Sequence, residues 1–224
     1  MNPATHVTWE QVDALLPQTQ CTRCGYPDCR SYAQAIVQGK AGINQCQPGG
    51  QEGVQRLARL TGQTEQVLDP RFGQEGPMTV AVIDENWCIG CTLCIKACPT
   101  DAILGTHKRM HTVLDVYCTG CDLCLPVCPV DCISMVPVSG EASGWAAWSE
   151  EQAQQGRRRY TARRERLARE VTERQDRHIT QATSKLAQLS EHSRINDPAL
   201  LDKKKSLIEA ALAKARAARQ ASSG

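Results

Sequence analysis

The sequence has few aromatic residues and no long apolar run. Aromatic side chains make up 4% of the 224 residues, with a single Phe. No apolar stretch approaches the roughly 18 residues that a membrane-spanning helix needs, so we expect no transmembrane segment. No signal peptide is recognisable, which indicates a reducing compartment and argues against disulfides among the thirteen cysteines.

Signatures of small-molecule catalysis are also missing. The sequence has no GxGxxG motif and no P-loop, so we expect no dinucleotide site and no P-loop nucleotide site. Its five histidines show no pairing with a plausible nucleophile. We therefore assign no catalytic residues and expect any bond chemistry to be left to partner proteins.

The most informative stretch is a tandem cysteine repeat. The pattern C-x2-C-x2-C-x3-C-P occurs twice with an offset of 30 residues. This spacing is typical of bacterial two-cluster ferredoxins, in which three cysteines of a run bind one 4Fe–4S cube and the fourth binds the other cube. The expected ligand sets are therefore Cys88, Cys91, Cys94 and Cys128 for one cluster, and Cys118, Cys121, Cys124 and Cys98 for the other.

Structural zinc is the alternative cofactor for this repeat. Zinc sites use paired C-x2-C knuckles that are separated by a longer spacer, and the two runs do not have that arrangement. Iron–sulfur clusters are thus the expected cofactors. They would also supply folding free energy that a chain so poor in aromatic residues lacks.

A second cysteine constellation precedes the repeat. It has the pattern C-x2-C-x4-C-x16-C and consists of Cys21, Cys24, Cys29 and Cys46. Four thiolates without a nearby histidine suit either zinc or a 4Fe–4S cube. We favour iron, because an added cube beside a ferredoxin would extend an electron path. The thirteenth cysteine, Cys132, is interpreted as a small buried hydrophobe rather than a redox-active thiol or a spare ligand.

Composition and charge divide the chain into three predicted domains. Residues 1–77 carry a net charge of −1, residues 78–140 carry −3 and residues 141–224 carry +6. We expect an α+β protein with a small α-rich N-terminal 4Fe–4S module and linker, then a two-cluster ferredoxin domain with a pseudo-two-fold repeat. A basic tail rich in Ala, Arg and Lys would follow as a helical hairpin or extended helices.

Hydrophobic spacing and capping residues predict individual elements within these domains. Thr8 and Gln11 form a capping box for the first helix, and Asp197 before Pro198 marks the start of the last one. The predicted elements are helices within 1–20, over 31–37 and over 50–59, a strand over 78–84 with a repeat-related partner at 112–114, a long helix over about 149–192 and a helix from 197 to about 219.

Six arginines lie close together near the start of the long predicted helix. They are Arg157, Arg158, Arg159, Arg163, Arg164 and Arg166. We interpret them first as a solvated helix face. Docking to an acidic protein or to anionic lipid headgroups ranks second, and nucleic-acid contact ranks last, because the segment has no recognised binding motif.

Residues 21–50 have the sequence CTRCGYPDCRSYAQAI at one end and INQCQPGG at the other, and the double ferredoxin run follows. Together these motifs resemble the B subunit of the Rnf (Rsx) electron-transport complex, over roughly residues 9–138. The resemblance implies that Cys21, Cys24, Cys29 and Cys46 ligate a 4Fe–4S cluster, and that the eight later cysteines ligate two more. It also implies that low-potential electrons pass through a membrane complex, which links ferredoxin and NAD redox chemistry to ion movement or reduces a redox-sensing transcription factor.

Two features differ from that family pattern. Family members usually begin with a membrane-spanning helix, which we do not expect here, and the basic tail after Gly144 is an addition. The expected location is the cytoplasm, with peripheral attachment to the cytoplasmic face of the inner membrane as a variant.

The expected function is electron transfer through three 4Fe–4S clusters, as a component of an oxidoreductase complex. The expected partners are a donor and an acceptor redox protein, which in an Rnf-type complex include membrane subunits. An alternative function is an iron–sulfur redox sensor whose basic tail binds nucleic acid or a partner protein. A structural assembly module, in which the clusters only hold the fold, is the other alternative.

Overall fold

The computed structural model describes residues 7–221. Residues 1–6 of the first predicted helical stretch and residues 222–224 of the predicted tail lie outside this range. The chain forms two compact units, Met1–Arg163 and Arg164–Gly224. No helix among the described residues is long and apolar enough to cross a membrane.

Three helices build the N-terminal part of the first unit: α1, Trp9–Ala14; α2, Cys29–Val37; and α3, Gly50–Thr61. The predicted capping box of α1 is confirmed, because the Thr8 and Gln11 side chains each accept a hydrogen bond from the other residue's backbone N–H. Helix α2 begins earlier than predicted, because the Asp28 carboxylate accepts from Ser31 N at 2.7 Å and caps the helix.

The three helices share an apolar core. Its largest fully buried members come from all three helices and from the segments that follow them: Val12, Leu16, Tyr32, Ile43, Val54 and Leu57. The module therefore has a hydrophobic core of its own, against which Cys24, Cys29 and Cys46 pack.

Residues 78–140, which we call the ferredoxin-like part, contain four strands and a short helix. In chain order they are β1, Thr79–Ile83; α4, Leu93–Ala97; β2, Ile103–Leu104; β3, Thr112–Val113; and β4, Ile133–Pro137. Strand β1 pairs antiparallel with β4, and β2 pairs antiparallel with β3, in two separate sheets. Each sheet thus joins the segment before one cysteine run to the segment after the other run.

The strand pairings of the two sheets are equivalent. Ile83 pairs with Ile133 in the first sheet, and Val113 pairs with Ile103 in the second, so that each pair maps onto the other through the 30-residue offset of the sequence repeat. Left-handed backbone conformations recur at the same offset. They are Thr92 and Asp122, with φ of 65° and 62°, Asp101 and Asp131, both with φ of 50°, and Gly90 and Gly120, with φ of 68° and 62°.

The tail contains two long helices, α5, Glu150–Ala187, and α7, Pro198–Ala221, and a short helix α6, Leu189–His192, between them. The prediction of one helix up to residue 192 is wrong at its end, because Gln188 leaves the helical region with φ −104° and ψ 15°. The start of α7 is confirmed, since the Asp197 carboxylate accepts from Ala199 N at 2.9 Å.

Within the second unit, two polar contacts join the later part of α5 to α7. Arg219 Nε donates to Asp176 Oδ1 at 2.9 Å, and Arg216 Nη2 donates to Thr183 Oγ1 at 2.9 Å. The residue numbers rise along one helix as they fall along the other, so these two segments run antiparallel.

The first turns of α5 belong to the first unit, and here the interpretation of the six arginines as a solvated face is wrong for Arg157, Arg159 and Arg163. Arg157 Nη2 donates to Asp13 O at 2.6 Å, and Arg163 Nη1 donates to the Asp101 carboxylate at 2.7 Å. Arg159 donates to the backbone carbonyl of Thr100 at 2.6 Å, and its guanidinium lies 3.7 Å from the centroid of the Tyr117 ring. These side chains hold the helix against both cysteine-containing parts of the unit.

Candidate functional site

One cavity of the ferredoxin-like part is lined by cysteines from both runs. They are Cys88, Cys91, Cys94 and Cys128, together with Cys132, which lies outside the two runs, and we call this cavity A. Apolar side chains of Ile83, Ile89, Val130 and Ile133 complete most of its wall. The first four of these cysteines are those that the sequence repeat assigns to a single cluster.

A second cavity, cavity B, is lined by the other four cysteines of the repeat. Cys118, Cys121 and Cys124 come from the second run, and Cys98 comes from the first run. Apolar neighbours again predominate, among them Ala81, Ala102, Val113 and Met135. From the two runs, each cavity therefore receives three cysteines of one run and the last cysteine of the other.

Two backbone hydrogen-bond donors approach sulfurs of cavity B. Ala81 N donates to Cys118 Sγ at 3.4 Å, and Ala102 N donates to Cys98 Sγ at 3.2 Å. Donors of this kind stabilise negative charge on sulfur and tune the potential of a cluster. The apolar walls and the cysteines of each cavity fit a 4Fe–4S cluster held by thiolates, and so do the N–H groups directed at the sulfurs of cavity B.

The thirteenth cysteine also lines cavity A. Cys132 Sγ is 3.5 Å from Cys128 Sγ, and Cys132 is partly buried against the core of this region. The expected full burial is therefore not observed. Packing against the core is what the interpretation as a small hydrophobe requires.

The four N-terminal cysteines lie around the start of α2 and the loop that precedes α3. Burial, with a contribution from the neighbouring Cys21, raises the pKa of Cys24 to about 11. Burial also raises the pKa of Cys29, with a contribution from Cys46, and the pKa of Cys46, with a contribution from Cys21. Cys21 contributes to the raised pKa of Cys24, Cys29 and Cys46, so these three thiols lie within electrostatic range of Cys21.

Burial likewise raises the pKa of Cys121 and of Cys124 to about 12. Thiols with such values are protonated at neutral pH, so cluster insertion at these positions must release protons. Within residues 7–221, no group of three or more His, Cys, Asp or Glu side chains has the arrangement of a site for a single metal ion.

Tyr32 fixes the loop that returns the fourth N-terminal cysteine. Its ring is 1% exposed, and its hydroxyl donates to Gly42 O at 2.7 Å and accepts from Gln45 N at 3.1 Å. Cys46 follows Gln45 directly, so the hydroxyl determines where the fourth thiol lies. No spacing rule identifies this tyrosine from the sequence, because its partners are backbone groups of a loop.

We expect Tyr32→Phe to destabilise the N-terminal module by about 1–3 kcal/mol, because it leaves two partly buried backbone groups without their hydrogen-bond partner. Tyr26→Phe is the matched control, since the Tyr26 hydroxyl makes only an exposed contact of 3.4 Å with Lys40 O. Its expected effect is below about 0.5 kcal/mol. Urea unfolding under anaerobic conditions measures both variants, and equal effects would contradict the role assigned to Tyr32.

The N-terminal cysteine loop contacts the second ferredoxin run. Arg23, which lies between Cys21 and Cys24, forms an ion pair with Asp122, which lies between Cys121 and Cys124. Close by, Thr119 Oγ1 donates to Thr19 O at 2.9 Å. The N-terminal thiols are therefore adjacent to the loop that lines cavity B.

The surface beside cavity A is different, because two large apolar side chains there are exposed. Trp87 and Ile89, on either side of Cys88, are 69% and 56% exposed. Sequence reasoning also missed His111, which lines the same cavity and is 1% exposed. The sequence did contain one signal for it, because His111 occupies the position that the small residue Ala81 occupies in the other repeat.

Comparisons with known proteins agree with these motifs. A family described as "4Fe-4S dicluster domain" matches residues 81–135, and one described as "Putative Fe-S cluster" matches residues 16–48. Three relatives are each named as the B subunit of an ion-translocating oxidoreductase complex. The protein of Azoarcus sp. (strain BH72) is 62% identical over 61% of this chain and 74% of its own length.

The relative from Thiobacillus denitrificans is 60% identical over 61% of this chain and 72% of its own length. The relative from Yersinia pestis is 56% identical over 61% of this chain and 73% of its own length. No solved structure matches the chain.

The α+β fold, the cysteine-lined cavities and the matched families define an iron–sulfur electron-transfer protein. The relatives make the assignment more specific. The chain belongs to the family of B subunits of ion-translocating oxidoreductase complexes, the iron–sulfur electron-transfer subunits of Rnf-type complexes.

Proposed function

We propose that the chain binds three 4Fe–4S clusters and conducts electrons among them. The observation that carries this proposal is that cavities A and B are each lined by three cysteines of one run and the last cysteine of the other. The proposed ligand sets are Cys88, Cys91, Cys94 and Cys128 in cavity A, Cys98, Cys118, Cys121 and Cys124 in cavity B, and Cys21, Cys24, Cys29 and Cys46 in the N-terminal module. Bound clusters would supply the one-electron chemistry.

A pseudo-two-fold repeat for the two-cluster domain is supported by the backbone. Both sheets keep the same register under the 30-residue offset, and left-handed residues recur at equivalent positions. The proposed domains are the N-terminal module and linker at 1–77, the two-cluster domain at 78–140 and the helical tail at 141–224. The antiparallel contacts of Arg216 and Arg219 with α5 support a helical hairpin in that tail.

The proposed order of the clusters is N-terminal cluster, cavity B, cavity A. The ion pair between Arg23 and Asp122 and the hydrogen bond from Thr119 support the first step, because they join the cysteine loops of the two neighbouring sites. Exposure of Trp87 and Ile89 supports cavity A as the end nearest to solvent. Electrons would then enter or leave at opposite ends of the row.

The relatives' name indicates the setting. We propose that the chain works as the B subunit of an ion-translocating oxidoreductase complex, where it exchanges electrons with other subunits and with a redox protein partner. Attachment at the cytoplasmic face of the inner membrane is the proposed location. The helical tail is the proposed docking element.

A redox sensor that binds nucleic acid through its basic tail has less support. Arg157, Arg159 and Arg163 are engaged by Asp13 and by the segment at Thr100 and Asp101, which leaves fewer cations for phosphate contacts. Such binding depends on the number of phosphate contacts that Lys and Arg make.

Iron and sulfide content of anaerobically purified protein tests the cluster count, together with EPR of the reduced form. We expect about twelve irons per chain, because each of three clusters contains four. About eight irons, with zinc or no metal bound by Cys21, Cys24, Cys29 and Cys46, would contradict the third cluster. A Cys46→Ala variant is the matched control and should lose about four irons.

A further inference from the structure

The two halves of the ferredoxin-like part differ at one pair of positions. Ala81 faces Met135 across the pairing of β1 and β4. In the other half of the repeat, the position equivalent to Ala81 is occupied by His111, and the position equivalent to Met135 is occupied by Gly105. In one half the first strand carries the small residue, and in the other half it carries the large one. The large side chain is the thioether of Met135 at cavity B and the imidazole of His111 at cavity A.

Gly105 provides the space for this imidazole. A Cβ atom added to Gly105 would lie 2.0 Å from His111 Cδ2, and Gly105 has a φ of +153°, which L side chains rarely adopt. Any side chain at this position would displace the histidine ring. The imidazole is therefore fitted tightly into the wall of cavity A.

The contacts of His111 indicate which ring nitrogen carries the proton. Nδ1 is 3.3 Å from Cys94 Sγ, whereas Nε2 is buried and has no hydrogen-bond partner among the described residues. If Nδ1 were unprotonated, its lone pair would face a thiolate and an N–H group would be buried unpaired at Nε2. The tautomer with Nδ1–H avoids both costs, since it donates to sulfur.

We propose that His111 donates a hydrogen bond from Nδ1 to Cys94 and thereby raises the reduction potential of the cluster in cavity A. The inference rests on the proposed ligand sets. A donor directed at a cluster thiolate stabilises the reduced state, which carries more negative charge. Met135, the large side chain beside cavity B, has no N–H or O–H group to offer, and the donors to Cys98 and Cys118 there are backbone N–H groups.

The side-chain donor acts at one end of the proposed cluster row. By raising the potential of the cluster in cavity A, it favours an electron at the end that lies beside exposed Trp87 and Ile89. The N-terminal module contacts the cavity B side through Arg23. His111 thus acts on the cluster through its hydrogen bond to Cys94 and does not itself bind iron.

The test compares reduction potentials in three variants, measured by EPR-monitored redox titration of the full chain. His111→Leu removes the donor at similar volume, and His111→Asn keeps an N–H near the position of Nδ1. Met135→Leu is the matched control beside cavity B. We expect His111→Leu to lower one cluster's potential by about 59 mV, a tenfold change in its one-electron equilibrium constant. We expect the other two variants to stay near the unmodified protein.

A second measurement needs no substitution. In the unmodified protein labelled with ¹⁵N-imidazole histidine, pulsed EPR of the reduced state should detect ¹⁵N coupled to one cluster. Absence of this coupling, with full iron content, would overturn the inference and leave the three-cluster proposal standing. An unchanged potential in His111→Leu, or an equal drop in His111→Asn, would also overturn it. Low iron content in the unmodified protein would instead contradict the proposed function.

Discussion

Replacing Cys98 with alanine is expected to abolish the cluster of the other cysteine run, at Cys118, Cys121 and Cys124, while the cluster of its own run remains. Cys98 lines cavity B with those three residues, and its sulfur accepts a hydrogen bond from Ala102 N at 3.2 Å within that region. The bound iron should fall by about four per chain. Iron analysis and EPR of the reduced variant measure the loss.

Three further variants make this result specific. Cys121→Ala should give the same EPR spectrum as Cys98→Ala, whereas Cys94→Ala should remove the cluster of cavity A and leave a different spectrum. Cys132→Ala should keep all of its iron, because Cys132 is assigned to packing. If Cys98→Ala instead matches Cys94→Ala, each run binds its own cluster and the exchange of ligands between runs is wrong.

Cys98 is a better choice for this test than its counterpart Cys128. Cys132 Sγ lies 3.5 Å from Cys128 Sγ, so a nearby thiol is available to replace Cys128 as a ligand. No second cysteine follows Cys98 at the equivalent position, which is occupied by Ala102. Retention of the cavity A cluster in Cys128→Ala would therefore be ambiguous, whereas the result for Cys98→Ala is not.

Removing the clusters is expected to unfold residues 78–140 and to leave the helices of the second unit folded. The core of the ferredoxin-like part includes the cysteines themselves, with Cys94, Cys98 and Cys124 among its buried members. Its sheets have two strands each, and such sheets are marginal when isolated. Metal binding must therefore supply much of the folding free energy of this part.

Hydrogen–deuterium exchange with mass spectrometry measures this effect before and after removal of iron by a chelator and an oxidant. Peptides from 78–140 should lose protection, and peptides from 164–221 should keep theirs, because the contacts of Asp176 with Arg219 involve no cysteine. The N-terminal helices should show an intermediate loss of protection, since their core at Val12, Tyr32 and Leu57 is apolar. Full protection of 78–140 without iron would contradict the dependence on clusters.

Local residue patterns were sufficient to predict where several helices begin. Thr8 with Gln11 and Asp197 with Pro198 are capping signals that act within one helical turn, and the helices begin where these residues predict. The limit of such signals is visible at Gln188. Nothing in the residue pattern indicated a break there, and the predicted helix ends earlier than the periodicity suggested.

The sequence by itself determined which chemistry this protein performs. Cysteine spacing sets which thiols can converge, because a short loop cannot hold its sulfurs far apart, and that information is local. Tertiary structure alone decided where the arginines of α5 bind, since Thr100 and Asp101 are distant in sequence. It also decided that His111 contacts Cys94, because this contact depends on the pairing of strands from different repeats and on the space that Gly105 leaves.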